Sequence, residues 1–254
     1  MKHITLLKIK KKNLMVVKEK LSPNYSKRKK KIKYIILHYT GMENINDTIN
    51  LFLDQKSKVS CHWLISKKGV LYKIVDEKNV AWHAGISYWK GQRNLNENSI
   101  GIELENIGHG KNYTNFSKVQ IIILEKLLKE IFERYKIRKR NVLAHSDISP
   151  NRKMDPGELF DWSSLAKKKL AFFPKVSKVN GNNFLFQIGQ KNKEIYKIKK
   201  LLNKIGYYCS NTQTYDLKLK LVIEAFQRRF IPEKVNGIID NKVYNRIIEV
   251  FKNT

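Results

Sequence analysis

The chain has 254 residues, of which 42% are apolar and 29% are charged, and its formal net charge is +29. This length allows one medium-sized domain and a smaller one, and the apolar content excludes an intrinsically disordered protein. A charge this positive favours anionic partners, which include nucleic acid, acidic lipid and carboxylate-rich polymers. Because Lys dominates Arg, background amino-acid usage on solvated faces explains the excess equally well.

The N-terminal end is strongly basic. The first 33 residues hold thirteen Lys or Arg and a single Glu, which predicts a mobile basic tail over residues 1–28. Its apolar runs are interrupted by Lys8 and by residues 10–12, so no clear signal peptide is visible. No apolar stretch approaches the roughly 20 residues of a membrane span. Cys61 and Cys209 fall in different predicted domains, so we expect no disulfide framework.

The elements after this tail alternate between strands and helices, as in an α/β layer fold. Residues 33–40 predict a buried strand that carries His38 at its polar end, and residues 59–75 predict a hairpin with a glycine turn. Alternation along the strand that starts near residue 99 places Glu103 and Glu105 on one face. Apolar residues at helical spacing predict a helix from Ser117, its N-cap, to Tyr135 that covers the sheet.

The next segments are short. Residues 141–145 predict a strand that ends in His145, then a loop without helix or strand, and a further helix near residues 159–170. A stretch rich in Pro, Gly, Asn and Ser predicts a linker over residues 173–190. Three short amphipathic helices are predicted over residues 191–254, which indicates a small helical module.

Three side chains of the first domain could form a catalytic zinc site. Such a site usually takes three ligands from His, carboxylate and Cys and leaves one position for water. His38 and His145 end two predicted strands, and Asp155 follows ten residues later, just before a Pro-Gly pair. Lys153 emerges on the same side of an extended loop as Asp155 and could bind a developing oxyanion.

The segment from His145 to Gly157, "HSDISPNRKMDPG", occurs together with "AWHAG" at residues 81–85 and "NSIGIELEN" at residues 98–106. These motifs, in this order, closely resemble the zinc-dependent N-acetylmuramoyl-L-alanine amidase family, type 2. The resemblance covers about residues 30–165 and implies a mixed central sheet flanked by helices. It also implies roles for individual residues: zinc ligands His38, His145 and Asp155, general acid/base Glu103, transition-state stabiliser Lys153, and substrate-binding residues Trp82, His83 and Asn96. Glu105 is the rival to Glu103, because both occupy one strand face.

The C-terminal segments "IKKLLNKIGYY", "VIEAFQRRF" and "VNGIID" resemble the three-helix peptidoglycan-binding domain type 1. Asn236 stands where that family usually has Asp before Gly237. The alternative is a generic helical bundle. We therefore expect a basic tail (1–28), a zinc amidase domain (29–172), a linker (173–190) and a peptidoglycan-binding-like helical domain (191–254).

The resemblance implies an enzyme that uses one zinc ion per chain to hydrolyse the amide between N-acetylmuramic acid, or its 1,6-anhydro form, and L-alanine. Its expected partners are peptidoglycan or muropeptides, with no specific nucleic acid and no transmembrane segment. One alternative is a catalytically silent peptidoglycan recognition protein, which the complete ligand set disfavours. A nucleic-acid-binding protein is supported by charge alone. Contact with the wall favours the periplasm or cell envelope, and the lack of a clear signal peptide leaves the cytoplasm open.

Overall fold

The structure, a computed structural model, describes residues 4–5, 15, 17–110, 112–174 and 185–254. The chain divides into two compact units: Met1–Gly85 with Leu95–Leu143, and Ile86–Asn94 with Ala144–Thr254. Within the described ranges, no helix combines the length and apolar character needed to cross a membrane.

A mixed β-sheet organises the first unit. Seven strands of the described part form it, in the order β1-β2-β6-β5-β10-β4-β11. They are β1 (Ile4–Thr5), β2 (Val17–Glu19), β4 (Tyr34–Tyr39), β5 (Trp63–Ile65), β6 (Leu71–Lys73), β10 (Ser99–Leu104) and β11 (Val142–Ala144). A separate pair joins β3 (Tyr25–Lys27) to β7 (Asn79–Ala81). Strand β10 runs parallel to both β4 and β5, and β5 runs antiparallel to β6. The predicted mixed sheet and the 59–75 hairpin are confirmed.

Strand register decides which side chains share a face of this sheet. Glu103 lies beside His38 on β4 and Leu64 on β5, so these three side chains point to one face. Leu64 belongs there to a buried cluster with Ile49 and Phe52 of helix α1 (Ile45–Leu53). Helix α2 (Lys118–Tyr135) contacts β5, and its N-cap is Ser117, whose side chain accepts the Gln120 N–H. The predicted α2 and its N-cap are therefore confirmed.

The predicted basic tail is wrong for residues 17–28. Strand β2 pairs in parallel with β6, and β3 pairs with β7. The Arg28 guanidinium donates to the backbone carbonyls of Glu77, Asn79, Glu97 and Ser99. Local charge suggested a solvated tail, but backbone pairing with strands about fifty residues away holds this segment. The rest of the predicted tail, residues 1–3, 6–14 and 16, lies outside the described residues.

The second unit contains a short hairpin, five helices of the described part and one small strand pair. The hairpin joins β8 (Tyr88–Trp89) to β9 (Gln92–Arg93), and β12 (Leu185–Phe186) pairs with β13 (Ile239–Asp240). The helices are α3 (His145–Ile148), α4 (Trp162–Lys167), α5 (Lys193–Ile205), α6 (Leu217–Phe230) and α7 (Asn241–Lys252). The three predicted C-terminal helices are confirmed.

Two local predictions need correction in this unit. The predicted linker, 173–190, is too long, because β12 already pairs with β13; its residues 175–184 lie outside the described residues. We call residues 185–254 the C-terminal module. The segment after β11 is also more regular than predicted, because residues 145–148 form the single turn α3. The Asp147 carboxylate accepts the Ala144 N–H and so stabilises the start of this turn.

Candidate metal centre

Two histidines and one aspartate of the predicted ligand set come together in the structure. His38 lies on β4, His145 directly follows β11, and Asp155 lies in the loop beyond α3. All three side chains are buried, and one ligand atom from each lies within 4.8 Å of the other two. Two imidazoles and a carboxylate match the ligand types of catalytic zinc sites, which keep a fourth position open. The residues present therefore fit a zinc ion.

His145 and Asp155 are held in direct contact. Nδ1 of His145 lies 3.0 Å from Oδ2 of Asp155, and the Ser146 N–H donates to the Asp155 carbonyl. The side-chain contact brings Nδ1 of His145 and Oδ2 of Asp155 within hydrogen-bonding distance of each other. The backbone bond returns the loop to α3, so ten residues of sequence separation become direct contact.

A chain of hydrogen bonds selects the tautomer of His38. The Ser99 hydroxyl donates to the Leu95 carbonyl at 2.6 Å, so its oxygen accepts from Nε2 of His83 at 3.2 Å. Nδ1 of His83 then accepts from Nε2 of His38 at 3.0 Å. Neutral His38 consequently carries its proton on Nε2, and its lone pair for a metal is on Nδ1. Sequence reasoning missed this role of His83, and no local signal joins residues 45 positions apart.

The backbone around His83 is held by Asn96. The Asn96 Oδ1 accepts the N–H of His83 at 3.0 Å and that of Ala84 at 2.7 Å. Gly101 gives the His83 ring room, because a Cβ there would lie 2.4 Å from the ring. The structure therefore places two predicted substrate-binding residues, His83 and Asn96, in contact with each other and with the surroundings of His38. Whether they also touch substrate stays a prediction.

The two candidate general bases occupy different surroundings. Glu103 is half-buried and lies in register with His38, on the same face of the sheet. Glu105 lies beyond the end of β10, and its Oε2 accepts the Lys67 N–H at 2.7 Å. Of the two carboxylates, Glu103 is therefore the one in direct register with His38.

The remaining predicted site residues are half-buried. Lys153 lies two residues before Asp155, and its backbone N–H donates to the Ser149 carbonyl, which shapes the loop. Trp82 donates its backbone N–H to the Ser60 hydroxyl within the "AWHAG" segment. Both side chains retain solvent access, as residues that meet a ligand require.

His62, which follows Cys61 in the chain, is fully buried and is hydrogen-bonded inside the protein. Its Nδ1 accepts the Gly101 N–H at 2.9 Å, and Nε2 faces the Asn79 carbonyl. Burial, together with the nearby positive charge of Arg28, lowers the pKa of His62 to about 3. This neutral imidazole lies outside the cluster of metal-ligand atoms.

The chain matches two protein families. Residues 28–158 match the N-acetylmuramoyl-L-alanine amidase family, and residues 191–247 match a peptidoglycan binding domain. The first match contains every predicted catalytic and metal-binding residue. The second covers most of the C-terminal module.

Individual relatives agree with these matches. The chain is 36% identical to the N-acetylmuramoyl-L-alanine amidase AmiD of Escherichia coli over 225 residues, 83% of this chain and 79% of AmiD. It is 35% identical to the 1,6-anhydro-N-acetylmuramyl-L-alanine amidase AmpD of Haemophilus influenzae over 161 residues, 56% of this chain and 85% of AmpD. The solved structure of E. coli AmiD with the substrate anhydro-N-acetylmuramic acid-L-Ala-D-gamma-Glu-L-Lys superposes with a TM-score of 0.76 and 32% identity, covering 91% of this chain and 90% of AmiD. The chain therefore belongs to the N-acetylmuramoyl-L-alanine amidase family.

Proposed function

We propose that this protein hydrolyses, with one zinc ion, the amide between N-acetylmuramic acid, or its 1,6-anhydro form, and L-alanine of the stem peptide. The observation that carries the proposal is the buried cluster of His38, His145 and Asp155. Support also comes from the E. coli relative, whose solved complex contains an anhydro-N-acetylmuramic acid peptide.

The three clustered residues would hold the zinc through Nδ1 of His38, Nδ1 of His145 and a carboxylate oxygen of Asp155. A zinc ion held in this way lowers the pKa of a water molecule to about 7 and polarises a carbonyl group. The hydrogen bond to His83 keeps the lone pair of His38 on the required nitrogen. The protein thereby supplies an oriented ligand set before the ion arrives.

Glu103 is the proposed general base and acid. Its carboxylate takes a proton from the attacking water, whose oxygen forms the new bond to the lactyl carbonyl carbon. When the C–N bond breaks, the same carboxyl group returns the proton to the alanine nitrogen, which leaves as an amine. The register of Glu103 with His38 supports this role, because the two side chains point to the same face of the sheet.

Lys153 is the proposed partner of the developing negative charge. During attack the carbonyl oxygen becomes an oxyanion, and a nearby ammonium group stabilises it more than it stabilised the neutral carbonyl. The position of Lys153 in the loop that carries Asp155 supports this assignment.

Trp82, His83 and Asn96 are proposed to shape the substrate groove. The Trp82 side chain is partly exposed, whereas Oδ1 of Asn96 and the His83 ring already have hydrogen-bond partners inside the protein. We therefore expect Trp82 to contribute directly and the other two to act mainly by holding the "AWHAG" segment.

The C-terminal module is proposed to hold the enzyme on peptidoglycan, as its family match suggests. Because its proposed substrate belongs to the wall, we propose the periplasm or cell envelope as its location. The net charge of +29 favours capture of stem peptides, which carry carboxylates.

The test is chromatography of products from purified peptidoglycan and from soluble anhydro-muropeptides, with and without a chelator. We expect free stem peptides, their loss on chelation and their return with zinc. Full activity of the metal-free protein would refute the zinc mechanism.

Glu103→Gln tests the base, and Glu105→Gln, two residues further along the chain, is its matched control. Glu103→Gln should retain zinc and lose about 10²–10⁴-fold in kcat, the usual contribution of general acid–base catalysis. Glu105→Gln should keep near wild-type turnover, because the Glu105 carboxylate accepts a hydrogen bond from the Lys67 N–H in the wild type and is not the proposed base. The reverse pattern would transfer the role to Glu105.

A further inference from the structure

A buried carboxylate lies next to the metal-ligand segment, and it has partners besides the start of α3. Asp147 is two residues beyond His145, and only 1% of its surface is exposed. Its carboxylate accepts the Ala144 N–H at 2.9 Å and the Tyr207 hydroxyl at 2.6 Å, and it forms an ion pair with Arg229.

The partners of Asp147 come largely from the C-terminal module. A carboxylate loses its hydration on burial, which is costly unless a cation and hydrogen bonds replace the water. Tyr207 follows α5 and Arg229 lies on α6, so the module provides both the cation and the hydroxyl. Arg229 is itself held by the Trp162 ring, with its guanidinium carbon 4.3 Å from the ring centroid.

Asp147 transmits this support to a metal ligand. Helix α3 has a single turn, and His145 is its first residue. The Asp147 carboxylate fixes the N–H of the residue just before His145. Movement of the carboxylate would therefore turn α3 and displace Nδ1 of His145 from its position 3.0 Å from Asp155.

A second set of contacts holds the segment that follows the "AWHAG" motif. Trp89 of β8 packs on Tyr207 with ring centroids 4.9 Å apart. Gly206 has a φ of +147° and a Cβ there would lie 2.4 Å from the Trp89 ring, so only glycine allows this approach. The Lys90 N–H also donates to the Gly206 carbonyl. Residues 206–207 thus contact two separate segments from the amidase region of the sequence.

We infer that the C-terminal module is part of the metal centre: Tyr207 and Arg229 are positioning residues that fix His145 through Asp147. Zinc retention by this enzyme then depends on the module, in addition to any binding of the module to glycan. This inference rests on the zinc site of the proposed function.

The test compares two buried tyrosines of the same module in the full-length protein. Tyr207 and Tyr215 are 1% and 0% exposed, and each hydroxyl donates one short hydrogen bond. The Tyr215 hydroxyl donates to the Gly237 carbonyl, inside the module. Replacing either tyrosine with Phe removes one buried hydroxyl, so the two variants should lose similar amounts of stability. Only Tyr207→Phe removes a hydrogen bond to Asp147.

The readouts are zinc affinity by competition with a chromophoric chelator, the visible spectrum of the cobalt(II)-substituted protein, and kcat and KM. For Tyr207→Phe we expect about a tenfold loss of zinc affinity, as for other partners that orient metal ligands, with an altered cobalt spectrum. Its kcat should fall while KM stays within twofold. Tyr215→Phe should match the wild type in zinc affinity and in the cobalt spectrum.

The outcomes separate this inference from the proposed function. If the wild type retains zinc and Tyr207→Phe retains it equally tightly, the coupling is wrong. If the wild type itself binds no zinc, the proposed function fails and the coupling with it. Should Tyr207→Phe not fold, Arg229→Lys replaces it, because Lys keeps the positive charge and loses the planar group that contacts Trp162. Wild-type zinc affinity in Arg229→Lys would equally overturn the inference.

Discussion

Substitution of Gly101 by Ala tests the support of His38 by His83. Gly101 lies within β10, where alanine is compatible with the backbone, so the effect comes from its added methyl group. That Cβ would lie 2.4 Å from the His83 ring, whereas ordinary contact begins at about 3.4 Å. The ring must therefore move by about 1 Å, and a hydrogen bond at 3.0 Å does not survive such a change.

Two magnitudes follow for Gly101→Ala. Overpacking of this kind destabilises a protein by about 1–3 kcal/mol, which lowers Tm by about 2–4 °C per kcal/mol in a chain of this size. Loss of the hydrogen bond that orients His38 should weaken zinc binding by about 10–100-fold. Thermal melting followed by circular dichroism measures the first effect, and chelator competition measures the second.

A double substitution shows whether both effects pass through the same ring. His83→Ala with Gly101→Ala should bind zinc no more weakly than His83→Ala alone, because no ring is left to displace. A Gly101→Ala protein that melts earlier than the wild type but binds zinc with unchanged affinity would refute the reasoning. It would show that the strained ring does not orient His38.

Two further predictions concern buried titratable groups. The pKa of His62 is about 3 in the folded protein and about 6.5 when unfolded, so the unfolded state binds more protons between these values and stability falls as pH falls. Denaturant titration of the wild type should show that the free energy of unfolding falls by about 3 kcal/mol between pH 6.5 and 4, and the His62→Asn variant should lack this loss. Equal losses in the wild type and the variant would contradict this prediction. Burial raises the pKa of both thiols, that of Cys209 to about 12, so iodoacetamide at pH 8 should alkylate Cys61 and Cys209 only after unfolding, as judged by mass spectrometry. Rapid labelling of the native protein would contradict the burial.

Local sequence patterns were sufficient for several elements. The period of two in β10 correctly placed Glu103 on the face opposite Ile102, because side-chain alternation follows from strand geometry alone. The helical period and Ser117 likewise predicted α2. Two of the three proposed ligands could be named because His145 and Asp155 lie, with Lys153, in one short motif. Chain separation there is small, so the motif is recognisable without knowledge of the fold.

Other features depend on contacts between distant segments. The basic composition of residues 17–28 predicted a tail, yet Val17 pairs with Leu71 and Tyr25 with Ala81. Nothing near residue 17 in the sequence indicates that a partner strand exists, because the hydrogen bonds of a sheet form between segments of any separation.

The sequence by itself determined the family, and it named the residue types of the candidate site: two imidazoles and a carboxylate, with a glutamate and a lysine proposed to act beside them. Only the tertiary structure showed that His83 contacts Nε2 of His38 and that Tyr207 and Arg229 contact Asp147, two residues beyond His145. The physical reason is that a ligand type is a property of one residue. The direction of its lone pair is set by hydrogen bonds from residues that are distant in the chain and meet only when it folds.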